Sequence, residues 1–373
     1  MTKIFSYDEL TWPEVAVLRR DVPLVIPLGS GYDLGLLAES LGDPPQIGLL
    51  PPIPYGWRGS LVEIPESVLT GFIANLLESL REGGFTRVYA LIPQGLELGL
   101  GAQAIRQAFI PPMSVWLTDE QRDKVVLVPV GHTEQHALHL PLNVDTVCIE
   151  AVAQGTATAV PDQAVCLPVM PYGVSMHYRA FAGTLNAGGR AFEDFYLAVV
   201  DALVSRGFER LYLLSGHGGN TSFLVNVVKY AGERHPHAFI ATAFLYLSGA
   251  QGVAALEKHR LSKIGGMGHA CELETSLMLY LRPDLVDMSK VVDETDFIAT
   301  PNYYMDWVEG GALVANPPWE DDTRTGAYGS GSLATAEHGK IWLEAAIAEK
   351  VSHVAEIHEQ YMRRKARRQS GWK

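Results

Sequence analysis

The sequence is poor in cysteine, in long apolar runs and in positive charge, and each shortage excludes a class of protein. It has 3 cysteines in 373 residues, with no CxxC pair, so we expect no disulfide framework. No apolar run approaches the ~20 residues that a membrane-spanning helix needs. The formal charge of −13 argues against binding to nucleic acid or to an acidic membrane surface.

What remains is an ordinary globular composition, with 47% apolar and 19% charged residues. The first residues, Met1–Glu9, contain no apolar stretch of the kind found in a secretory signal. The scarce, unpaired cysteines suit a reducing compartment. We therefore expect a cytoplasmic protein.

Three segments from the first third of the chain recur in the same order further along. Residues 22–30 resemble 126–132, residues 51–56 resemble 168–173, and residues 77–92 resemble 202–215. The shared order favours an internal duplication, with a common βαβ sequence style as the alternative. Because Pro111-Pro112 predicts a join, we predict two units, residues 1–112 and 113–373.

The second copy carries polar residues that the first copy lacks. When the copies are aligned, Tyr32 stands opposite Glu134, Leu34 opposite His136, and Gln94 opposite His217. Residues 1–112 therefore read as a degenerate copy without metal ligands, whose role would be packing, oligomer contacts or shaping the site.

The densest polar cluster follows the apolar run Val125–Val130. Glu134, His136 and Asp145 come within fifteen residues of that run, where an open parallel sheet places its chemistry. Carboxylate and imidazole ligands suit Zn²⁺ or Mn²⁺. Judged alone, the cluster is equally well read as a group of solvated loop residues.

Two further segments carry candidate ligands. In Ser215–Asn220, His217 lies between glycines at the end of a predicted strand, where the alternatives are a phosphate cradle or a tight turn with Asn220 capping the next helix. In Gly268–Thr275, a buried Glu274 would be costly unless paired or metal-bound. The alternative there is an exposed helix start with acids at its positive end.

Strand and helix patterns alternate through the second copy. Strands are predicted at 125–130, 165–169, 210–214 and 239–246, and helices at 146–156, 190–206, 221–233, 270–281 and 333–357. This alternation predicts a three-layer α/β/α sandwich with a mainly parallel sheet. Asp145 is predicted to be the N-cap of the first of these helices.

Taken together, these segments resemble the creatininase (creatinine amidohydrolase) family. The matching stretches are Gly131–Asp145, Tyr172–Leu185, Ser215–Asn220, His269–Ser276 and Gly326–Gly339. The resemblance implies a hydrolase with two metal ions that acts on a non-peptide, often cyclic, amide.

The resemblance also implies a ligand set for two divalent ions, Zn²⁺ or Mn²⁺, with Fe²⁺ also compatible. The matching ligands are Glu134, His136, Asp145 and His217, with Asp145 bridging the ions. Creatininase places an acid two residues after the histidine, and that position is Gly219 here. Glu274 is our substitute for this fifth ligand, with Glu272 as the alternative.

Other roles follow from the same matches. His269 corresponds to the histidine proposed for proton transfer, and Glu134 is assigned a catalytic role beside it. His139 and Asn220 would support the ligands from behind. The candidate substrate contacts are Ser175, His177 and Tyr178.

The expected function is hydrolysis of a C–N bond in a small polar metabolite, with a small-molecule substrate as partner and a homo-oligomeric assembly. Substitutions around the pocket, and the absence of tryptophan between Phe244 and Gly268, argue against creatinine itself. The alternatives are cyclic ketone opening, deformylation, modified-peptide cleavage, or a non-catalytic binding or assembly role.

Overall fold

Two parallel β-sheets, each covered by helices, make up the body of the protein. The computed structural model describes residues 2–108, 117–175, 180–307 and 310–371. We call residues 2–108 the N-terminal unit and residues 117–371 the C-terminal unit. Within the described residues, no helix is both long and apolar enough to cross a lipid bilayer.

The N-terminal sheet has five strands in the order β1-β3-β2-β4-β5, and all its pairs are parallel. The strands are β1 (Lys3–Ser6), β2 (Leu24–Pro27), β3 (Gln46–Leu49), β4 (Val88–Pro93) and β5 (Ala104–Gln107). The helices of this unit are α1 (Trp12–Ala16), α2 (Leu34–Ser40) and α3 (Glu66–Glu82).

The C-terminal sheet has four strands in the order β7-β6-β8-β9, again all parallel. They are β6 (Val125–Val130), β7 (Ala164–Cys166), β8 (Arg210–Ser215) and β9 (Phe239–Ala243), and a short antiparallel pair joins β10 (Met267–His269) to β11 (Tyr328–Gly329). The helices are α4 (Val144–Ala159), α5 (Gly189–Ser205), α6 (Thr221–Arg234), α7 (Ala250–His259), α8 (Glu272–Leu281) and α9 (Ala336–Gln369).

The central strand β6 shows why the sheet is covered on both faces. All six of its residues are buried, as expected for a parallel strand between two helix layers. Val125 and Leu127 pack into a core with α4, α8 and α9, whereas Val126, Val128 and Val130 pack into a second core with α5 and α6. This alternation along the strand gives three layers and confirms the predicted α/β/α fold.

Several element boundaries differ from the predicted ones. Helix α4 begins at Val144 with Asn143 as its N-cap, so Asp145 lies in the first turn and is not the N-cap. Helix α9 continues to Gln369, because its apolar face still packs through Ile357 and Tyr361. The predicted join at Pro111-Pro112 falls outside the described residues, and the two-domain division stays a prediction.

Candidate active site

The predicted ligands lie at the carboxyl edge of the C-terminal sheet, and two glycines let their segments approach one another. A Cβ on Gly131 would lie 2.4 Å from Thr146 Oγ1, and a Cβ on Gly216 would lie 2.4 Å from the Asp145 carbonyl oxygen. Only glycine fits such close contacts without displacement. The ends of β6 and β8 are thereby packed against the start of α4, which carries Asp145.

His136 is held with one ring nitrogen directed at two carboxylates. Its Nδ1 lies 3.0 Å from the Glu134 carbonyl oxygen, to which an Nδ1–H group donates. The Nε2 atom then carries a lone pair, 3.3 Å from Asp145 Oδ1 and 3.9 Å from Glu274 Oε1. A backbone carbonyl that fixes the tautomer of a histidine is the usual support of a metal ligand.

His217 is held in the opposite tautomer. Its Nε2–H group donates to the Val174 carbonyl oxygen at 3.1 Å. This leaves Nδ1 as the acceptor, 2.7 Å from Glu134 Oε2 and 3.2 Å from Asp145 Oδ2. Asp145 thus directs one oxygen at each histidine.

The chemistry of these groups fits divalent cations. All five predicted ligands are buried, and both Glu134 oxygens, His136 Nε2 and Asp145 Oδ2 have no hydrogen-bond partner among the described residues. Burial raises the pKa of Glu134 to about 8 and that of Glu274 to about 7, with neighbouring histidines opposing the shift. Buried carboxylates of this kind are stabilised by coordinating metals.

The structure separates the two candidates for the fifth ligand. Glu274 places its carboxylate in one set with His136 and Asp145, whose ligand atoms lie within 4.8 Å of one another. The Glu272 carboxylate instead accepts hydrogen bonds from the backbone N–H groups of Leu261 and Ser262, at 2.9 and 2.8 Å. Glu272 therefore anchors a loop, and the geometry supports Glu274 as the ligand.

Gly219 shows why the usual position of the acid is lost. A Cβ there would lie 2.4 Å from His217 Nε2 and 2.5 Å from the Val174 carbonyl oxygen. Any side chain would therefore disturb the hydrogen bond that orients His217. The close approach of Gly219 to His217 and Val174 leaves no room for a carboxylate side chain at residue 219. The fifth acidic ligand must therefore come from another segment of the chain.

His132 is a neighbour of the ligands that the sequence did not single out. Its Nδ1 accepts a hydrogen bond from the Gly173 N–H group at 2.9 Å, and its ring lies 4.4 Å from that of His217. In a neutral ring the proton is then on Nε2. A protonated Nε2 offers no lone pair, so this tautomer disfavours His132 as a ligand, although its position alone would allow ligation.

His269 lies against the other side of the cluster. Its Nε2–H group donates to the Gln135 carbonyl oxygen at 2.6 Å, and its ring lies 4.2 Å from the ring of His136. Burial lowers the pKa of His269 well below its ordinary value, and the neighbouring His136 adds to the shift. The ring is therefore neutral at pH 7, with Nδ1 as the proton-accepting atom.

The two residues predicted to support the metal ligands, Asn220 and His139, make different contacts. The Asn220 side chain does not cap α6; its Oδ1 accepts from the Val174 N–H at 2.9 Å and its Nδ2 donates to the Gly131 carbonyl oxygen at 3.2 Å. It thus ties together the two loops that position the histidines. His139 lies 3.0 Å from Thr275 Oγ1, which neighbours Glu274 on helix α8.

Of the predicted substrate contacts, Ser175 is described and is buried. Its hydroxyl has no hydrogen-bond partner among the described residues, and its contact with substrate stays a prediction. His177 and Tyr178 fall outside the described residues, and their contacts with substrate stay predictions.

A cavity of about 760 Å³ opens onto the ligands, and His217, His269 and Glu274 form its floor. Its wall is largely apolar and comes from Phe244, Tyr303, Met305, Trp307, Pro317 and Trp319. Trp319 places its ring edge-on to His269 with centroids 5.0 Å apart. Tyr246 and Met267 are buried in the core.

Sequence reasoning missed these tryptophans because they come from the irregular segment between α8 and α9. The only local signal is the stretch Asn316-Pro-Pro-Trp-Glu320, whose prolines predict a turn that could present an aromatic ring. Nothing in the segment indicates that it folds back over the metal ligands.

Comparison with known proteins identifies the class. A sequence profile of the creatininase family, described as creatinine amidohydrolase, matches residues 116–354. The chain therefore belongs to the creatininase family, whose members include amidohydrolases. Creatinine amidohydrolase from Pseudomonas putida is 29% identical over 248 residues, covering 60% of this chain and 86% of that protein.

Other relatives carry different names. The mycofactocin precursor peptide peptidase of Mycobacterium ulcerans is 26% identical, over 62% of this chain and 84% of that protein. The 3-dehydro-scyllo-inosose hydrolase of Thermotoga maritima is 27% identical, over 64% of this chain and 78% of that protein. Similar proteins thus differ in substrate, and the family does not fix it.

Solved structures agree with the fold. A creatinine amidohydrolase crystal structure superimposes with a TM-score of 0.53 at 27% identity, covering 64% of this chain and 93% of that chain. A creatininase of the Zn–Zn type and one named for manganese match equally well, with TM-scores of 0.53, identities of 26% and 27%, and the same coverage of 64% and 93%.

Proposed function

We propose that this protein is a hydrolase with two divalent metal ions that cleaves the C–N bond of a non-peptide, cyclic amide. The observation that carries the proposal is the position of Asp145, whose two oxygens face His136 and His217 from a buried site. Glu134 completes the set on the His217 side and Glu274 completes it on the His136 side. Zn²⁺ and Mn²⁺ both accept this mixture of imidazole and carboxylate ligands.

The proposed ions would lower the pKa of a water molecule and polarise the amide carbonyl group. The chain supplies the remaining functions. His269 is neutral, and its Nδ1 can accept a proton from the attacking water and deliver it to the leaving nitrogen. Gln135 holds that ring through its carbonyl oxygen, and Trp319 excludes water from one side of it.

The cavity also favours a second candidate function with the same C–N bond hydrolysis, namely cleavage of a peptide. Its volume of about 760 Å³ and its aromatic wall suit an amide with an apolar or aromatic substituent better than a small polar ring. The described lining residues include no lysine or arginine, which disfavours a phosphorylated substrate. Cleavage of a modified peptide, the activity for which one relative is named, would meet these requirements.

The experiment is a substrate screen on protein stripped of metal with a chelator and then reloaded with Zn²⁺ or Mn²⁺. The panel contains creatinine, unsubstituted and aryl-substituted lactams and hydantoins, formamides, a cyclic ketone, and short peptides with aromatic C-termini. We expect C–N hydrolysis that depends on added metal. Aryl-substituted cyclic amides turned over faster than their unsubstituted parents would support the primary candidate, whereas turnover of the peptides alone would favour the second.

Failure of every amide, with hydrolysis of the cyclic ketone, would overturn the C–N assignment while leaving the metal site in place. Turnover that survives complete removal of the metal would overturn the mechanism itself.

A further inference from the structure

The two sheets share more than the order of their strands. Strands β3-β2-β4-β5 of the N-terminal sheet lie in the same order as β7-β6-β8-β9 of the C-terminal sheet, all parallel. The pairing registers also correspond. Leu24 pairs with Gly48 and Val88 as Val126 pairs with Val165 and Leu211, and Pro27 pairs with Leu91 as Pro129 pairs with Leu214.

The correspondence includes features that a parallel sheet does not require. Proline is rare in central strands because it cannot donate to the ladder, yet Pro27 and Pro129 occupy the same register. Just beyond each proline, the Gly29 N–H donates to the Ile53 carbonyl oxygen and the Gly131 N–H donates to the Met170 carbonyl oxygen, both at 2.8 Å. Convergence on a common fold does not account for such shared irregularities.

Helices α3 and α5 are the corresponding helices, and they pack against each other. Each has 17 residues and ends in the same kind of turn, where the Phe85 N–H donates to the Leu80 carbonyl oxygen and the Phe208 N–H donates to the Leu203 carbonyl oxygen. Their packing surfaces are fully buried and belong to one apolar core that spans both units.

The seventh residues of the two helices, Phe72 and Phe195, stack on each other with ring centroids 4.5 Å apart. A residue contacts its own equivalent only where an approximate two-fold axis passes between them. The contact therefore has the geometry of a dimer interface between like subunits, although both helices belong to one chain.

Further hydrogen bonds join the two helices to the segments that precede them, at positions that do not correspond in the two units. The segment before α5 bonds to α3, since Asn75 Nδ2 donates to the Ala187 carbonyl oxygen at 2.8 Å. The segment before α3 bonds to the end of α5, since an Arg206 N–H donates to the Leu61 carbonyl oxygen at 2.9 Å. Each helix is thus contacted by the segment that precedes the other helix.

We propose that residues 2–108 are a degenerate second copy of the fold that occupies, within the chain, the place of a two-fold-related subunit. The α5 face of the C-terminal unit fits a copy of itself, and α3 covers that face here. In support, the creatinine amidohydrolase structure matches 64% of this chain while 93% of its own length is covered, so a fold of this kind exists without an N-terminal unit. The proposal does not depend on the reaction catalysed.

The test uses the full chain with a protease site inserted between residues 111 and 112. After cleavage of the folded protein, we expect both fragments to migrate together at the mass of the uncut chain in light scattering. A Phe72→Arg substitution in the cleaved protein should separate them. The released C-terminal fragment should then pair with itself and migrate at twice its own mass.

Two controls make the outcome specific. Adding Phe195→Arg to the Phe72→Arg protein should abolish self-pairing of the released fragment, whereas Val17→Arg, at a side chain that is 82% exposed, should leave the cleaved complex intact. A released fragment that stays monomeric with its helical circular dichroism intact would overturn the proposal. A released fragment that loses its structure would also overturn the proposal, because the proposal requires the exposed α5 face to be stabilised by pairing with its own copy.

Discussion

The same edge of the two sheets has opposite chemistry in the two units. At the end of β2, the Tyr32 hydroxyl donates to the Leu28 carbonyl oxygen and Asp33 caps helix α2. At the end of β6, the chain instead buries Glu134 and His136. The two Glu134 carboxylate oxygens and His136 Nε2 have no hydrogen-bond partner among the described residues. Hence the same sheet and helices form with different residues in the loops at the strand ends, and those loop residues determine the chemistry of the edge.

The comparison also shows what a buried polar cluster requires. At the N-terminal edge, Tyr32 and Asp33 are hydrogen-bonded to backbone groups of their own unit. The C-terminal edge concentrates three carboxylates around two histidines, which is unfavourable unless cations are present. Substitutions and pH changes at the ligands and their surroundings test that contrast, and a substitution at the cavity wall tests the role of the wall.

The largest effect is expected for Asp145→Asn. Because Asp145 faces both histidines, its loss should disturb both ions and reduce kcat/KM by ~10³-fold or more, the equivalent of several kcal/mol of transition-state stabilisation. The matched control is Asp33→Asn, at the corresponding edge of the N-terminal sheet, where only a helix cap changes. Equal activity losses in a steady-state assay would contradict the contrast between the units.

Glu274→Gln and Glu272→Gln should separate a ligand from an anchor. We expect Glu274→Gln to lose one of the two ions and about 10²-fold or more in activity. Glu272→Gln should keep both ions and instead lower the free energy of unfolding, because it weakens bonds to the loop at Leu261 and Ser262. Elemental analysis beside a denaturant titration distinguishes them, and the reverse pattern would identify Glu272 as the ligand.

Gly219→Ala should weaken metal binding although it replaces no ligand. The added methyl group would lie 2.4 Å from His217 Nε2 and would displace the ring from the Val174 carbonyl oxygen. Loss of such a supporting contact typically lowers metal affinity by about 10–100-fold. Competition with a chromophoric chelator measures the change. Gly218→Ala, where a Cβ meets no atom within 4 Å, is the control and should bind metal normally.

Metal affinity should rise with pH. Burial opposes protonation of His136, but the Asp145 and Glu274 carboxylates outweigh it and raise the pKa of the metal-free ring to about 9. Since a metal binds only the neutral ring, affinity should increase by about tenfold per pH unit for each proton displaced. The rise should continue to pH 9, because, although burial opposes the shift, Glu134 and Asp145 also raise the pKa of His217 well above its ordinary value. An affinity that is flat between pH 6 and 9 would contradict this protonation state.

The same shift has a consequence for stability without metal. A histidine whose folded-state pKa is raised from 6.5 to about 9 stabilises the fold fully below pH 6.5, and that contribution is lost as the pH rises through 9. The metal-free protein should therefore have a lower Tm at pH 9 than at pH 6.5. Reloading with Zn²⁺ should reverse the trend in a thermal melt.

The smallest effect is expected at the cavity wall. Trp319→Ala removes an aromatic surface beside His269 but no ligand, so both ions should remain bound. We expect kcat/KM for an aromatic amide to fall by about tenfold, with a smaller loss for an unsubstituted amide. Trp342→Phe, a fully buried residue in helix α9, serves as a control for loss of an indole without change at the wall.

Sequence reasoning reached the fold and most of the cluster because both leave short-range signals. The strand Val125–Val130 has the predicted bounds, and the predicted helices of the C-terminal unit occur with shifted ends. Glu134 and His136 are separated by one residue after a strand, so their proximity needed no long-range contact. The sequence could not decide whether Glu272 or Glu274 is the fifth ligand, because the two differ only in which groups surround each carboxylate in the folded chain.

The cavity wall and the pairing of the units were harder to foresee. Trp319 reaches His269 across a segment with little regular structure, and no periodicity predicts where such a chain returns. The sequence favoured a repeat, but the stacking of Phe72 on Phe195 depends on how two helices far apart in the chain meet. Such contacts lie beyond any local pattern.

The most direct test of the account is the metal content of the purified full-length protein, measured by elemental mass spectrometry after equilibration with Zn²⁺ or Mn²⁺. Two ions per chain in the wild type, and loss of both in Asp145→Asn, are the predicted result. The absence of tightly bound metal from the wild type under these conditions would contradict the central claim, because the buried carboxylates and histidines would then have another purpose.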